Sequence, residues 1–158
     1  MRQLYLLAAV LVVGCGAAPP APVVHPAAVA ISPQDAAAVA RQVIDARYGV
    51  DPGAGSDRII VGRAEWLNDA QWIARRWERG MIVRTFNPEG WFRVVAVVEN
   101  PRPGEVAVRV IGLAANGDER FDGLEQYIVS GDPRMPRWAD NRVAVLQLVI
   151  NKKLHDLH

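Results

Sequence analysis

Apolar side chains recur at helical spacing immediately after the segment SPQD. Ser32 is a good N-cap, Pro33 suits the first helical position, and Asp35 follows the cap by three residues, close to a capping box. Gly49 is a stop signal at the other end. The pattern therefore predicts a helix that begins at Pro33 and ends at Tyr48. The apolar residues of its predicted buried face are Ala36, Val39, Ala40, Val43, Ile44 and Tyr48.

Alternating apolar and polar residues and Val-rich runs replace the helical period further along the chain. β-Branched residues with a period of two are typical of strands. The segments PRPG and NGD end two of these runs and are turn sequences, because Asn-Gly tolerates the positive φ of a tight hairpin. The predicted strands are residues 60–66, 81–86, 91–100, 105–115 and 125–130, with a hairpin turn at 116–118.

A short second helix is predicted over residues 68–80, NDAQWIARRWERG. Asn68 is a cap residue and Gly80 is a stop signal. The apolar residues on one side of this helix would be Leu67, Ala70, Ile73, Ala74 and Trp77.

Residues 142–151 fit both a helix and a strand. The run RVAVLQLVI could form a buried strand, yet apolar residues over 139–157 also repeat at helical spacing. Lys152 and Lys153 lie near the end of this segment, where a helix dipole favours cations. We favour a C-terminal helix and keep the strand as the alternative.

These elements together predict an α+β fold, in which the N-terminal helix and the short second helix pack on an antiparallel meander of four or five strands. The C-terminal helix completes the domain. The element order is similar to that of cystatin-like and nuclear-transport-factor-like folds, a similarity that implies no function. Residues 32–158 are enough for one domain with a self-sufficient core.

The first residues have the pattern of a secretory signal. Arg2 is followed by an uncharged, mainly apolar run over residues 4–13. A helix of this length covers about 15 Å, roughly half of a bilayer's hydrocarbon core, so it is too short to span. A basic start, a short apolar run and small residues at the exit are typical of a cleaved signal peptide.

The exit sequence contains the one cysteine of the chain. Val12, Val13, Gly14 and Cys15 resemble the lipobox of bacterial lipoprotein precursors. The resemblance implies a diacylglyceryl thioether on Cys15, cleavage before that residue and acylation of the new amino terminus. With no second cysteine, an intrachain disulfide is impossible. An ordinary cleaved signal with a chance cysteine is the alternative interpretation.

The residues that follow Cys15 are predicted to form a tether to the lipid surface. Residues 16–31 contain four prolines among alanine and valine and carry no charged side chain. Proline this dense favours an extended chain that reaches about 50 Å over sixteen residues. Gly16, in place of an aspartate, favours the outer membrane in enteric-type sorting. The predicted organisation is a signal peptide over 1–14, a lipidated tether over 15–31 and a domain over 32–158.

Charge balance excludes one class of partner. The chain has a formal net charge of +1, and removal of Arg2 leaves 17 basic and 17 acidic side chains. A neutral chain without a basic stripe does not indicate nucleic-acid binding. The expected partners are the membrane, through acyl chains on Cys15, and an envelope protein.

Catalytic patterns are weak in the predicted domain. His155 and His158 lie at the chain's end, where a catalytic base would be poorly held. The segment HDLH and the acidic residues of NGDERFDGLE are better explained as solvated polar segments than as metal sites. No phosphate-binding glycine motif is present. We therefore expect no catalytic residue, no bound metal and no cofactor.

One group of residues has the composition of an interface. Trp72 would share its helical face with Arg75, Arg76 and Arg79, and aromatic side chains beside arginine are enriched at binding hot spots. The sequence favours a non-enzymatic envelope lipoprotein with a binding or assembly role. The alternatives are a lipid-binding or small-ligand-binding module with a pocket between helix and sheet, and a small hydrolase that uses carboxylates alone.

Overall fold

The computed structural model describes residues 23–68, 73–78, 81–86, 89–116, 127–133, 135 and 137–158. These residues form a mixed α+β fold, as predicted, with a helix at each end of the described strands. The elements in chain order are α1 (Pro33–Tyr48), β1 (Val50–Ser56), β2 (Ile59–Gly62), β3 (Glu65–Asn68), β4 (Ile73–Glu78), β5 (Met81–Phe86), β6 (Glu89–Glu99), β7 (Ala107–Asn116), β8 (Ile128–Val129) and α2 (Arg137–His155).

Both ends of α1 have the capping residues that the sequence predicts. The backbone N–H of Asp35 donates to the Ser32 hydroxyl oxygen at 3.1 Å, and that hydroxyl donates to the Asp35 carboxylate at 2.7 Å. Gly49 ends the helix with φ of 72°, a backbone conformation that favours glycine, and its N–H donates to the Asp45 carbonyl. Both predicted ends of this helix are therefore confirmed.

The strands form one sheet of six antiparallel strands and a separate pair. The sheet order is β1-β2-β6-β7-β8, and β3 also pairs with β6. The predicted strand over 60–66 is divided into β2 and β3, which both pair with β6. β8 confirms a strand within the predicted 125–130 segment, whereas the turn predicted at 116–118 lies largely outside the described residues.

The predicted second helix over residues 68–80 is wrong. Residues 73–78 form β4, which pairs antiparallel with β5 from Ile73 opposite Phe86 to Glu78 opposite Met81. Ile73, Ala74 and Trp77 fit a helical spacing, and residues 73–78 lack the alternation of apolar and polar residues that is typical of strands. Six backbone pairings with β5 override this local pattern.

The C-terminal segment is a helix, and the strand alternative for residues 142–151 is wrong. α2 packs beside α1 on one face of the sheet. Along β6, alternate residues point to this face and are fully buried. The largest fully buried side chains are Phe92, Ile44, Ile60, Met135, Ile150, Leu154, Val94, Val106 and Val108.

β8 pairs with only two residues of β7, so the other backbone groups on the side of β7 that faces away from β6 bind different partners. We call this side, the even positions 108–114 together with Val106 just before the strand, the β7 outer edge. Val106 exchanges two backbone hydrogen bonds with Val29, and Gln147 on α2 binds the backbone at Val108 and Val110. The Ser130 hydroxyl binds the backbone of Gly112. An edge covered in this way offers no template for another strand.

Candidate functional site

An open groove runs between α1 and α2 and has a cavity volume of about 630 Å³. We call it the helix groove. Val43 and Leu146 are buried at its base, whereas Val145 and Val149 are exposed and form its α2 wall. Ala46 is exposed on the α1 side. The remaining lining residues are Gln42, Arg47, Tyr48, Asn141, Arg142 and Lys153.

One end of the helix groove is formed by an arginine held among aromatic rings. The Arg142 Nη1 donates to the Glu65 Oε2 at 2.7 Å. Its guanidinium carbon lies 5.0 Å from the Trp138 ring centre and 5.8 Å from that of Phe92. Phe92 in turn contacts Trp138 edge to face at 5.2 Å. The carboxylate and the rings together fix the position of this cation.

Tyr48 lies at the same end of the groove and also packs against Phe92, with ring centres 6.2 Å apart. Burial raises the pKa of the Tyr48 phenol, and the nearby Glu65 carboxylate adds to this effect while Arg142 and Arg47 oppose it. The phenol therefore stays protonated at neutral pH and can donate a hydrogen bond.

Among the residues that line the helix groove, every charged side chain is positive. Arg47 and Lys153 are exposed, and the Lys153 ammonium donates to the Gln42 amide oxygen at 3.4 Å. Arg142 is neutralised by Glu65, which leaves two rim cations for a ligand. Apolar walls with a cationic rim complement a ligand that has an apolar body and an anionic group.

A second cavity, of about 610 Å³, lies between α2 and the β7 outer edge. It is bordered by the extended segment of residues 23–31, which we call the strap. The Asn151 side chain accepts from the Ala27 N–H at 3.0 Å and donates to the His25 carbonyl at 2.9 Å. Val29 is buried. The chain therefore joins the domain before Ser32, the boundary expected from sequence.

Ser130 borders this second cavity, but its hydroxyl is committed to the sheet. The oxygen accepts from the Gly112 N–H at 2.5 Å, and the hydroxyl donates to the Gly112 carbonyl at 3.2 Å. Over the described ranges, no cluster of three or more His, Cys, Asp or Glu side chains could hold a metal ion. His155 and His158 are exposed at the end of α2.

Most of the residues that the sequence singled out as candidate sites lie outside the described part of the chain. Cys15, Trp72 and Arg79 lie outside the described residues, so their roles stay predictions. Arg75 and Arg76 are consecutive positions of β4. Arg75 and Arg76 therefore do not lie on a helix, because residues 73–78 are a strand.

Sequence reasoning missed the helix groove. The available signal was a second apolar stripe on the C-terminal helix. Val145 and Val149 are four residues apart on a helix that already buries Leu146 and Ile150 on its other side. A helix that is apolar on two sides has more than one partner or leaves an apolar face uncovered. The position of α1 beside that stripe could not be derived from local pattern.

Among the described helices, none has the length and apolarity needed to cross a membrane. Comparisons with protein-family models, with curated proteins and with solved structures find no match to this chain.

Proposed function

We propose that this chain is a bacterial envelope lipoprotein, anchored by acyl chains on Cys15, whose folded domain binds an anionic amphiphile in the helix groove. The lipobox resemblance supports the anchor, and the helix groove carries the binding role. Anchoring by two or more acyl chains is firm, at about 0.8 kcal/mol per buried methylene. The acyl chains would insert into the outer membrane and the domain would face the periplasm; glycine at position 16, in place of aspartate, supports this location.

The strap sets how far the domain lies from the lipid. His25, whose carbonyl accepts a hydrogen bond from Asn151, lies ten positions after Cys15. An extended chain of ten residues spans at most about 36 Å. This reach is shorter than the roughly 50 Å expected for a free tether over residues 16–31, because the strap is bound to the domain.

The helix groove favours an amphiphile over a polar metabolite. Its volume of about 630 Å³ falls in the ordinary range of small-ligand sites. Val43, Val145 and Val149 offer an apolar surface to an acyl chain, and Arg47 and Lys153 can pair with a carboxylate or phosphate. The helix-to-sheet interface itself is filled by core side chains such as Phe92.

The anchor is tested by the intact mass of the protein purified from membranes of a producing bacterium. We expect a chain that begins at Cys15 and carries the additional mass of its acyl groups. A Cys15→Ser variant is expected to keep residues 1–14 and to gain no lipid. An unmodified chain in the first sample would overturn the anchoring proposal.

The groove is tested by a photo-crosslinking amino acid placed at Ala46 in the full chain in cells. Ala38 is the matched control, since it is an exposed alanine on α1 that does not line the groove. We expect an adduct with the mass of an acyl amphiphile at position 46 and none at position 38. Equal adducts at both positions, or a protein adduct at position 46, would contradict the proposed ligand class.

A further inference from the structure

α2 has an apolar surface that no described residue covers. Val145, Leu148 and Val149 are 59%, 56% and 40% exposed. Their spacing of three and four residues places them on one side of the helix. We call these three residues, together with Lys152 and Lys153, the α2 outer face. Exposed aliphatic side chains grouped in this way indicate an interaction surface.

The two lysines show what chemistry this surface fits. Lys152 and Lys153 are exposed in the turn that follows Val149. Apolar residues beside lysines on one side of a helix are typical of helices that lie in the interface of an anionic bilayer. An acidic phospholipid surface would match both the aliphatic side chains and the cations.

The strap reaches the domain beside this face. Asn151, which binds the strap, follows Leu148 by three residues, so the two are neighbours on α2. Leu148 lies between Gln147, which lines the cavity under the strap, and Val149, which lines the helix groove. The strap is therefore bound at the border of the α2 outer face, and the ten residues from Cys15 to His25 span at most about 36 Å.

We propose that the α2 outer face lies on the anionic phospholipid surface of the bilayer that holds the acyl chains. This inference rests on the proposed function, because the acyl chains on Cys15 bring the domain within reach. Val145 and Val149 belong both to this face and to the wall of the helix groove. In the docked state the helix groove would therefore face the lipid bilayer, and the bilayer would supply the amphiphile.

Docking is tested with the acylated protein reconstituted into vesicles of phosphatidylcholine alone or with phosphatidylglycerol. A Leu148→Cys variant carries an environment-sensitive fluorophore, and the acylated Cys15 thiol does not react with it. Ile59→Cys is the matched control, since Ile59 is also an exposed aliphatic residue but lies on the sheet face away from the helices. We expect a blue shift of emission at position 148 in phosphatidylglycerol vesicles and none at position 59.

Charge reversal separates membrane docking from anchoring. Lys152→Glu with Lys153→Glu should weaken the docked state about tenfold or more, which reduces the blue shift at position 148. Arg58→Glu with Arg102→Glu makes the same change in net charge in exposed turns and should leave the shift unchanged.

Flotation of the protein with the vesicles reports the anchor independently. Flotation without a blue shift, or a shift that does not depend on phosphatidylglycerol, would overturn the docking and leave the anchor intact. Loss of flotation would overturn the anchor, and the docking with it.

Discussion

Replacing Gln147 by leucine should lower the free energy of unfolding by leaving two backbone groups without partners. Gln147 is only 2% exposed. Its amide oxygen accepts from the Val110 N–H at 2.8 Å, and its amide nitrogen donates to the Val108 carbonyl at 2.7 Å. The side chain thus occupies the position that a neighbouring strand would otherwise take along the β7 outer edge. Leucine has a similar size, so the substitution removes the hydrogen bonds without opening a large cavity.

The magnitude follows from the cost of burying unpaired polar groups. A buried N–H or carbonyl that loses its partner costs about 1–3 kcal/mol. Two such groups predict a loss of about 2–6 kcal/mol, a large part of the 5–15 kcal/mol typical of a whole domain. The Gln147 amide also donates to the Asn151 side chain at 2.9 Å, so the same substitution weakens the attachment of the strap.

The assay is urea unfolding of the purified mature protein in mild detergent, followed by far-ultraviolet circular dichroism. Gln42→Leu is the matched control, because Gln42 is exposed and accepts one long hydrogen bond from Lys153. We expect the control to change stability by no more than about 0.5 kcal/mol. Equal unfolding midpoints for the two variants would refute the argument that Gln147 completes the sheet edge.

Two further substitutions test the sheet. Gly112→Ala should cost about 1–3 kcal/mol in urea unfolding, since a Cβ there would lie 2.7 Å from Val143 Cγ2 and 2.8 Å from Ser130 Oγ; unchanged stability would contradict the close packing. Glu99→Gln should cost less than about 1 kcal/mol at pH 7, because the ion pair of Glu99 with Arg109 is well exposed. Arg109 lowers the pKa of Glu99, so this contribution is present above the ordinary carboxyl pKa of 4.5 and is lost as pH falls through the lowered value. Unfolding across a pH series should show the difference closing in acid, and a difference that persists there would be inconsistent with the ion pair.

The elements that could be predicted from sequence are those whose ends are encoded locally. Ser32 and Gly49 define α1 through hydrogen bonds and a backbone conformation that involve neighbouring residues alone. The even positions over 90–98 in β6 and 108–114 in β7 carry apolar residues or glycine, whereas Arg93, Glu99 and Arg109 occupy odd positions, which favours burial of the even face. The sequence favours the C-terminal helix because apolar residues repeat at helical spacing over residues 139–157 and because Lys152 and Lys153 lie near its end.

The helix prediction for residues 68–80 failed because the local signals all favour a helix: a cap residue, apolar residues at helical spacing and a stop glycine. Tertiary pairing overrides such local preferences. The partner strand β5 decides the outcome through six backbone pairings. The helix groove escaped prediction for a related reason: its two walls lie about a hundred residues apart, and their meeting depends on both helices packing on the same face of the sheet.

The strap couples the proposed membrane attachment to the stability of the fold. Asn151 binds the strap through His25 and Ala27, and it accepts a hydrogen bond from Gln147, which in turn binds β7. A pull transmitted from Cys15 would therefore reach α2 through the Asn151 side chain and would reach the sheet through the backbone hydrogen bonds between Val29 and Val106. Because α2 also carries the outer face, the same helix holds the strap and presents the surface that we propose to meet the lipid. Asn151→Ala, which removes the contacts with His25 and Ala27, should then reduce the blue shift at position 148 in phosphatidylglycerol vesicles, and an unchanged shift would contradict this coupling.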